Sequence, residues 1–240
     1  MNIVVVNGTE QKGCTYAMKE LFLSAMGGDC GVTEYNLPRD CPVFCSGCKM
    51  CFFRDISVCP HSRYTVPIWE GILAADLLVF TSPTYVFHVT AQMKALLDHY
   101  GTKWMAHSPE KPMFQKQALI ITNAIGQGMG KTAKDIKDSL DFWGVARTYV
   151  IKKALFQPKW ELVRDRTKAD VKAKCERVAA KVKSQKRVTP RAKIKILFSV
   201  MKTAQAMIDK SERKAGRERT RDYIHWKENG WFDGKKPWTN

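Results

Sequence analysis

Short strand-like segments alternate with helix-like patterns through the first 150 residues, and this alternation limits the fold more than any other feature. The segments are Ile3–Val6, Val32–Tyr35, Asp76–Thr81, Ala118–Thr122 and Val145–Ile151. Most are continuously apolar, which is typical of strands covered on both faces. Strands that alternate with helices are joined by right-handed crossovers into a parallel sheet. The sequence therefore predicts an α/β fold.

Five strands within about 150 residues favour the flavodoxin-like type of doubly wound parallel sheet. In such sheets ligands bind beyond the carboxyl ends of the strands. The loops after the first, third and fourth strands are the ones rich in Gly, Ser, Thr and Asn. We therefore expect a ligand site along that edge of the sheet.

The first of these loops has features of a phosphate site. It precedes a predicted helix, whose N-terminal N–H groups attract anions. Thr9 and Thr15 add hydroxyl donors, and Gly13 allows close approach of the backbone. The loop has no G-x-G-x-x-G motif, so a dinucleotide pyrophosphate is not favoured. An ordinary strand-to-helix turn is the alternative, because turns use the same residue types.

Four cysteines lie close together in the sequence with the spacing C-x2-C-x2-C-x7-C. They are Cys45, Cys48, Cys51 and Cys59. One short loop can bring three such thiolates to a single point, as iron–sulfur ligation requires. Structural zinc usually needs two separated cysteine pairs, and reduced thiols without metal are a further alternative. We predict a metal site at these four residues.

The positive charge is concentrated in the C-terminal part of the chain. The net charge is +17, and residues 151–240 contain 26 Lys and Arg but 10 Asp and Glu, a net of +16. This asymmetry predicts a boundary near residue 155. We expect a flavodoxin-like domain over 1–155, with a cysteine-rich loop at 41–61. A basic helical extension then covers 156–240 and either packs on the core or forms oligomers.

The basic extension also suggests an alternative function, a non-enzymatic module that binds an anionic partner. A membrane surface or an acidic protein would suit its charge. Nucleic acid is disfavoured, because no recognised reading module accompanies the charge. The N-terminus has no basic segment of a signal peptide, and no apolar run reaches membrane-spanning length. The sequence predicts a reducing, cytoplasmic setting.

Three segments together resemble the flavodoxin-fold NAD(P)H-dependent FMN reductases and, within them, the iron–sulfur flavoproteins. They are Gly8–Thr15, Ser82–Phe87 with the following Ala91–Asp98, and the cysteine run. The resemblance covers about residues 1–150. Gln11 stands where the family usually has Arg, and Cys14 replaces an Asn. The sequence after Cys59 also departs from the acidic segment common in the family.

The resemblance implies an FMN-dependent oxidoreductase that passes electrons from NAD(P)H or a ferredoxin-like carrier to an acceptor. A [4Fe–4S] cluster on the four cysteines would transfer single electrons to a carrier protein. Without it, the enzyme would reduce quinones, nitro compounds or free flavin. A homo-oligomer is expected, and no catalytic acid or base is assigned. The implied FMN-binding residues are Thr9, Gln11, Gly13, Cys14, Thr15, Ser82, Pro83, Thr84, Tyr85, Val86, Phe87, Asn123, Ala124, Gly126 and Gly128.

Overall fold

A single sheet of five parallel strands forms the centre of the protein. The structure, a computed structural model, describes residues 1–185 and 187–239. The strand order is β2-β1-β3-β4-β5, which confirms the predicted flavodoxin-like arrangement. The strands are β1 (Asn2–Asn7), β2 (Gly31–Asn36), β3 (Leu77–Pro83), β4 (Gln117–Ala124) and β5 (Arg147–Ala154).

Eight α-helices accompany the sheet within the described residues. They are α1 (Cys14–Met26), α2 (Met50–Phe53), α3 (Ser62–Ala74), α4 (Ala91–His99), α5 (Met129–Phe142), α6 (Asp165–Lys183), α7 (Ala192–Lys214) and α8 (Arg221–Glu228). None of them is long and apolar enough to cross a membrane.

Each strand of the sheet interior contributes side chains to two separate cores. In β1, Val4 and Val6 face the core formed with α3, α4 and α5, whereas Ile3 and Val5 face the core formed with α1 and α6. Successive side chains of a strand point to opposite faces, so a continuous apolar run serves both layers. The helices are therefore held against the two faces, and the polar loops are left at the sheet edges.

The basic C-terminal part packs on the rest of the chain in two places. Helix α6 lies against α1, and its buried Val171 and Cys175 belong to the same core as the strands. Helices α7 and α8 form a third apolar cluster, in which Phe198 stacks on Trp226 with ring centroids 4.8 Å apart. The C-terminal tryptophans are thus used for packing. The division into two domains at residue 155 stays a prediction.

Candidate functional site

A cavity of about 680 Å³ opens at the carboxyl ends of β1, β3 and β4. This is the edge at which the sequence predicts a ligand site, because parallel strands bring their carboxyl ends together. Ten of the fifteen predicted FMN-binding residues line it: Thr9, Gln11, Gly13, Cys14, Thr15, Pro83, Thr84, Tyr85, Asn123 and Ala124. Loops far apart in the sequence therefore meet around one space.

The N-terminus of α1 gives the cavity its anion-binding character. Gly13 is the N-cap, no side chain caps the helix, and the first turn contains no acidic residue. The free N–H groups of this turn therefore remain available to an anion. Lys12 and Lys159 also line the cavity and add positive charge. This combination suits a phosphate group.

A side-chain hydrogen bond joins two of the loops across the cavity. The Thr15 hydroxyl donates to Oδ1 of Asn123, so the start of α1 is tied to the end of β4. Both side chains are buried, which leaves few alternative positions for either. The bond therefore fixes the distance between the anion-binding helix end and the loop after β4.

The loop after β3 forms a tight turn with an unusual backbone. Tyr85 and His88 exchange backbone hydrogen bonds of 3.0 Å in each direction. The two residues between them, Val86 and Phe87, have φ angles of 48° and 68°. Left-handed φ is favoured in such two-residue turns but is costly for a β-branched residue. Val86 is nevertheless 93% exposed, so the strained turn displays an apolar side chain beside the cavity.

Neighbouring polar groups and a glycine hold this turn in place. The Thr132 hydroxyl donates to Oγ1 of Thr84 at 2.9 Å, and His88 Nδ1 lies 2.9 Å from Oδ2 of Asp135. A Cβ on Gly128 would lie 2.8 Å from Cγ2 of Thr84 and 3.0 Å from the Phe87 Cα. Helix α5 thus supports the turn through contacts that only glycine permits at its N-cap.

Five predicted residues do not line the cavity: Ser82, Val86, Phe87, Gly126 and Gly128. Ser82 is buried, where its Oγ accepts from the Thr90 N–H at 3.2 Å. Gly128 packs against Thr84 and Phe87 of the turn. The Lys131 Nζ lies 5.5 Å from the centroid of the Phe87 ring. These residues shape the loops, while their contact with a ligand stays a prediction.

The sequence interpretation missed the loop after β5. Gln157–Glu161 line the cavity together with Lys12 and Ile125. The signal was available, because β5 ends at the same edge of the sheet as the other strands. Placing a boundary near residue 155 assigned this loop to the extension instead. The site therefore also contains the aromatic side chain of Trp160 and the positive charge of Lys159.

Cys14 lies in the cavity wall as a neutral thiol. Burial, followed by the nearby Glu161 carboxylate, raises its pKa above the ordinary value. Its Sγ lies 3.9 Å from the carbonyl oxygen of Pro158. A thiol with a raised pKa is a poor nucleophile at neutral pH, so Cys14 serves as a wall residue.

The four predicted metal ligands do not form a metal site in this arrangement. Among residues 1–185 and 187–239, no group of three or more His, Cys, Asp or Glu side chains is placed to hold a metal ion. Cys45 and Cys48 are exposed in an irregular loop, Cys51 lies in α2, and Cys59 ends a 3₁₀ turn, Ile56–Val58. The predicted [4Fe–4S] ligand set is therefore not supported. Burial, followed by the charges of Cys59, Cys45 and Cys48, raises the pKa of Cys51 above its ordinary value, so the four cysteines lie near one another. Their role as metal ligands stays a prediction.

Residues 1–160 match the family described as NADPH-dependent FMN reductase. Among solved structures, the chain is similar to an FMN-dependent NADH-azoreductase from Bacillus anthracis in complex with FMN, with 12% identity, TM-score 0.58 and coverage of 76% of this chain and 99% of that one. It is also similar to Smu.1420 from Streptococcus mutans, with 15% identity, TM-score 0.56 and coverage of 75% and 100%.

A flavone reductase gives 14% identity and TM-score 0.55; the match covers 80% of this chain and 66% of that one. No curated protein matches the chain. At these identities the solved structures show the shared fold alone, and the range of the family match, residues 1–160, includes most of the residues that line the cavity.

Proposed function

The chain belongs to the NADPH-dependent FMN reductase family, and we propose that it binds FMN in the cavity at the sheet edge and uses it to pass electrons from NAD(P)H to a small acceptor. It is thus a flavin-dependent oxidoreductase, and FMN supplies the hydride and electron chemistry. The observation that carries this proposal is the meeting of the α1 N-terminus with the 83–85 and 123–125 segments around one cavity.

The residues present fit a flat phosphorylated ligand. The uncapped N-terminus of α1 would receive the phosphate, with Lys12 nearby to neutralise its charge. Pro83 and Tyr85 would form one wall for the ring, and Trp160 would close the opposite side of the cavity opening. Asn123, held by Thr15, offers polar atoms to the ring edge. The cavity volume is in the usual range for cofactor sites, ~300–1,000 Å³.

The surroundings of the cavity favour a planar apolar acceptor. Val86, Ile125 and Phe156 are exposed apolar residues on the loops at this edge of the sheet. Such residues would pack against a quinone, a nitroaromatic compound or an azo dye. They would also suit contact with a second copy, as a homo-oligomer requires. Sedimentation at several protein concentrations tests that association.

A substitution in the link between α1 and β4 tests the FMN site. Thr15→Val keeps the shape but removes the hydroxyl that bonds Asn123. Losing this bond should weaken FMN binding by up to about tenfold, since a buried hydrogen bond contributes up to ~1.5 kcal/mol and ~1.4 kcal/mol corresponds to tenfold in affinity. Thr203→Val, at an exposed position of α7, is the matched control and should leave FMN affinity unchanged. Equal FMN affinity in the two variants would contradict the assigned site.

The proposed electron path uses FMN alone, because no group of three or more His, Cys, Asp or Glu side chains in residues 1–185 and 187–239 is placed to hold a metal ion. Anaerobic purification followed by iron and sulfide analysis checks this point. About four iron atoms per chain would contradict it, whereas an iron-free protein that reduces a quinone with NADPH would support it.

The extension has a second candidate role, contact with an anionic membrane surface. On α7, Ile196, Val200 and Met207 share one helix face and are exposed. The helix has six basic residues, and its two acids, Asp209 and Glu212, pair with Arg219 and Arg217. An exposed apolar face flanked by cations is typical of surface-binding helices. This role would accompany the enzyme activity in the cytoplasm rather than replace it.

Vesicle sedimentation tests the membrane role. Wild-type protein should sediment with vesicles that contain phosphatidylglycerol and stay in solution with pure phosphatidylcholine. The double variant Ile196→Ser with Met207→Ser should lose this binding, while Val32→Ser, on exposed β2, should retain it. Binding that is indifferent to the α7 changes would remove this candidate.

A further inference from the structure

A second cavity of about 550 Å³ lies between the cysteine-rich loop and the start of α8. It shares no lining residue with the cavity at the sheet edge. Phe52 and Phe53 come from α2, and His107 and Arg219 come from distant parts of the chain. Four of its eight lining residues, 219–222, lie outside the family match over residues 1–160, and the proposed FMN site does not use this space.

Hydrogen bonds and ion pairs hold the two sides of the cavity together. Arg221 donates from Nη1 to the carbonyl oxygen of Cys51 at 3.1 Å and pairs through Nη2 with Asp55 at 3.2 Å. On the other side, Asp222 lies 2.8 Å from Nδ1 of His107 and accepts from Ser108 Oγ at 3.2 Å. The cavity is therefore built into the fold, because these contacts join the loop to α8.

The lining combines aromatic rings with an excess of positive charge. The Phe52 ring meets the His107 ring edge-on, with centroids 4.7 Å apart, and the Phe53 side chain is 73% exposed. Lys49 lines the cavity and makes no ion pair within the described part of the chain. Asp222, the acidic residue of the lining, already makes hydrogen bonds with His107 and Ser108.

We propose that this cavity is a binding site for a small planar aromatic anion, such as an aryl carboxylate. The aromatic part would pack against Phe52 and Phe53, which removes apolar ring surface from water. The anionic group would lie near Lys49, which makes no ion pair within the described residues, whereas Arg219 already pairs with Asp209 and Arg221 with Asp55. The cavity size is within the ~300–1,000 Å³ that small-molecule sites occupy.

The test is a calorimetric titration of the FMN-saturated protein, so that the sheet-edge cavity is already filled. The probes are 2-naphthoate and 2-naphthamide, which share a ring system and differ in charge. The carboxylate should bind at one site per chain and about tenfold more tightly than the amide. Equal affinities for the two probes would overturn the assignment of an anion site.

Two exposed phenylalanines of the same loop provide matched variants. Phe53→Ser should weaken naphthoate binding about tenfold or more, because Phe53 lines the cavity. Phe44→Ser should not change it, since Phe44 is similarly exposed at 69% but lies outside the lining. Lys49→Gln should remove the preference for carboxylate over amide. Naphthoate affinity that is unchanged in Phe53→Ser, or release of FMN by naphthoate, would refute the proposal.

Discussion

Gly128 is the position at which a single methyl group should disturb both the fold and the flavin site. Its φ of 97° is in the left-handed region, where an L-residue costs ~1–2 kcal/mol. An added Cβ would also lie 3.0 Å from the Phe87 Cα, a backbone atom that cannot move aside freely. Overpacking of this kind typically costs ~1–3 kcal/mol. Gly128→Ala should therefore destabilise the protein by about 2–4 kcal/mol.

Gly130 provides the control two residues further along the chain. It lies in the first turn of α5, and a Cβ there would meet nothing within 4 Å. Alanine favours helix over glycine by up to ~1 kcal/mol, so Gly130→Ala should be neutral or slightly stabilising. The two variants add the same methyl group, but only Gly128→Ala should destabilise the protein.

Thermal unfolding and FMN titration together measure the outcome. A loss of 2–4 kcal/mol should lower Tm by about 5–15 °C for a chain of this size, and Gly130→Ala should raise it slightly. Because Gly128 supports the turn with Thr84 and Tyr85, its variant should also bind FMN about tenfold more weakly. If both variants shift Tm in the same direction, or if Gly128→Ala binds FMN normally, the reasoning about this turn is wrong.

Three further predictions concern the strained turn, the link to the extension and the thiols. Val86→Gly should raise the free energy of unfolding by about 1 kcal/mol, as thermal denaturation would show, because glycine tolerates its left-handed φ. For Asp55, burial would raise the pKa, but hydrogen bonds from Ser57, the charge of Lys103 and a hydrogen bond from Arg221 outweigh it and lower the pKa. Its stabilising contribution is therefore complete above the unfolded pKa near 3.8 and is lost as the pH falls through the lower folded value. Asp55→Asn should remove this acid dependence at a cost below ~1 kcal/mol, measured as protection of the extension from an acid protease at a series of pH values from about 5 down to about 2. Burial raises the pKa of Cys175 to about 12, so iodoacetamide at pH 8 should modify the exposed Cys45 and leave Cys175 unmodified, as mass spectrometry of peptides would show.

The sheet could be predicted because the sequences of its central strands are themselves typical of buried strands. The segments Asp76–Thr81 and Ala118–Thr122 are apolar on both faces and correspond to β3 and β4 with shifts of one to two residues. β2 was harder, because as an edge strand it is largely exposed and has a mixed sequence. Its prediction depended on the alternation of the whole pattern rather than on its own residues.

The site could be predicted only in part, since sequence shows which loops meet but not how each residue is placed. Thr15 and Asn123 were both expected at the cavity, but their mutual bond follows from three-dimensional packing. Trp160 was missed because it follows a strand whose loop has no glycine-rich signal. Metal binding by the four cysteines stays a prediction, because among residues 1–185 and 187–239 no group of three or more side chains is placed to hold a metal ion.

FMN binding at the sheet edge is tested most directly by fluorescence titration of the purified apoprotein with FMN, in parallel for wild type and Thr15→Val. We expect the wild type to quench flavin fluorescence saturably at one FMN per chain, and the variant to need up to about tenfold more FMN. Folded wild-type protein that leaves the fluorescence of FMN unchanged would contradict the proposed site.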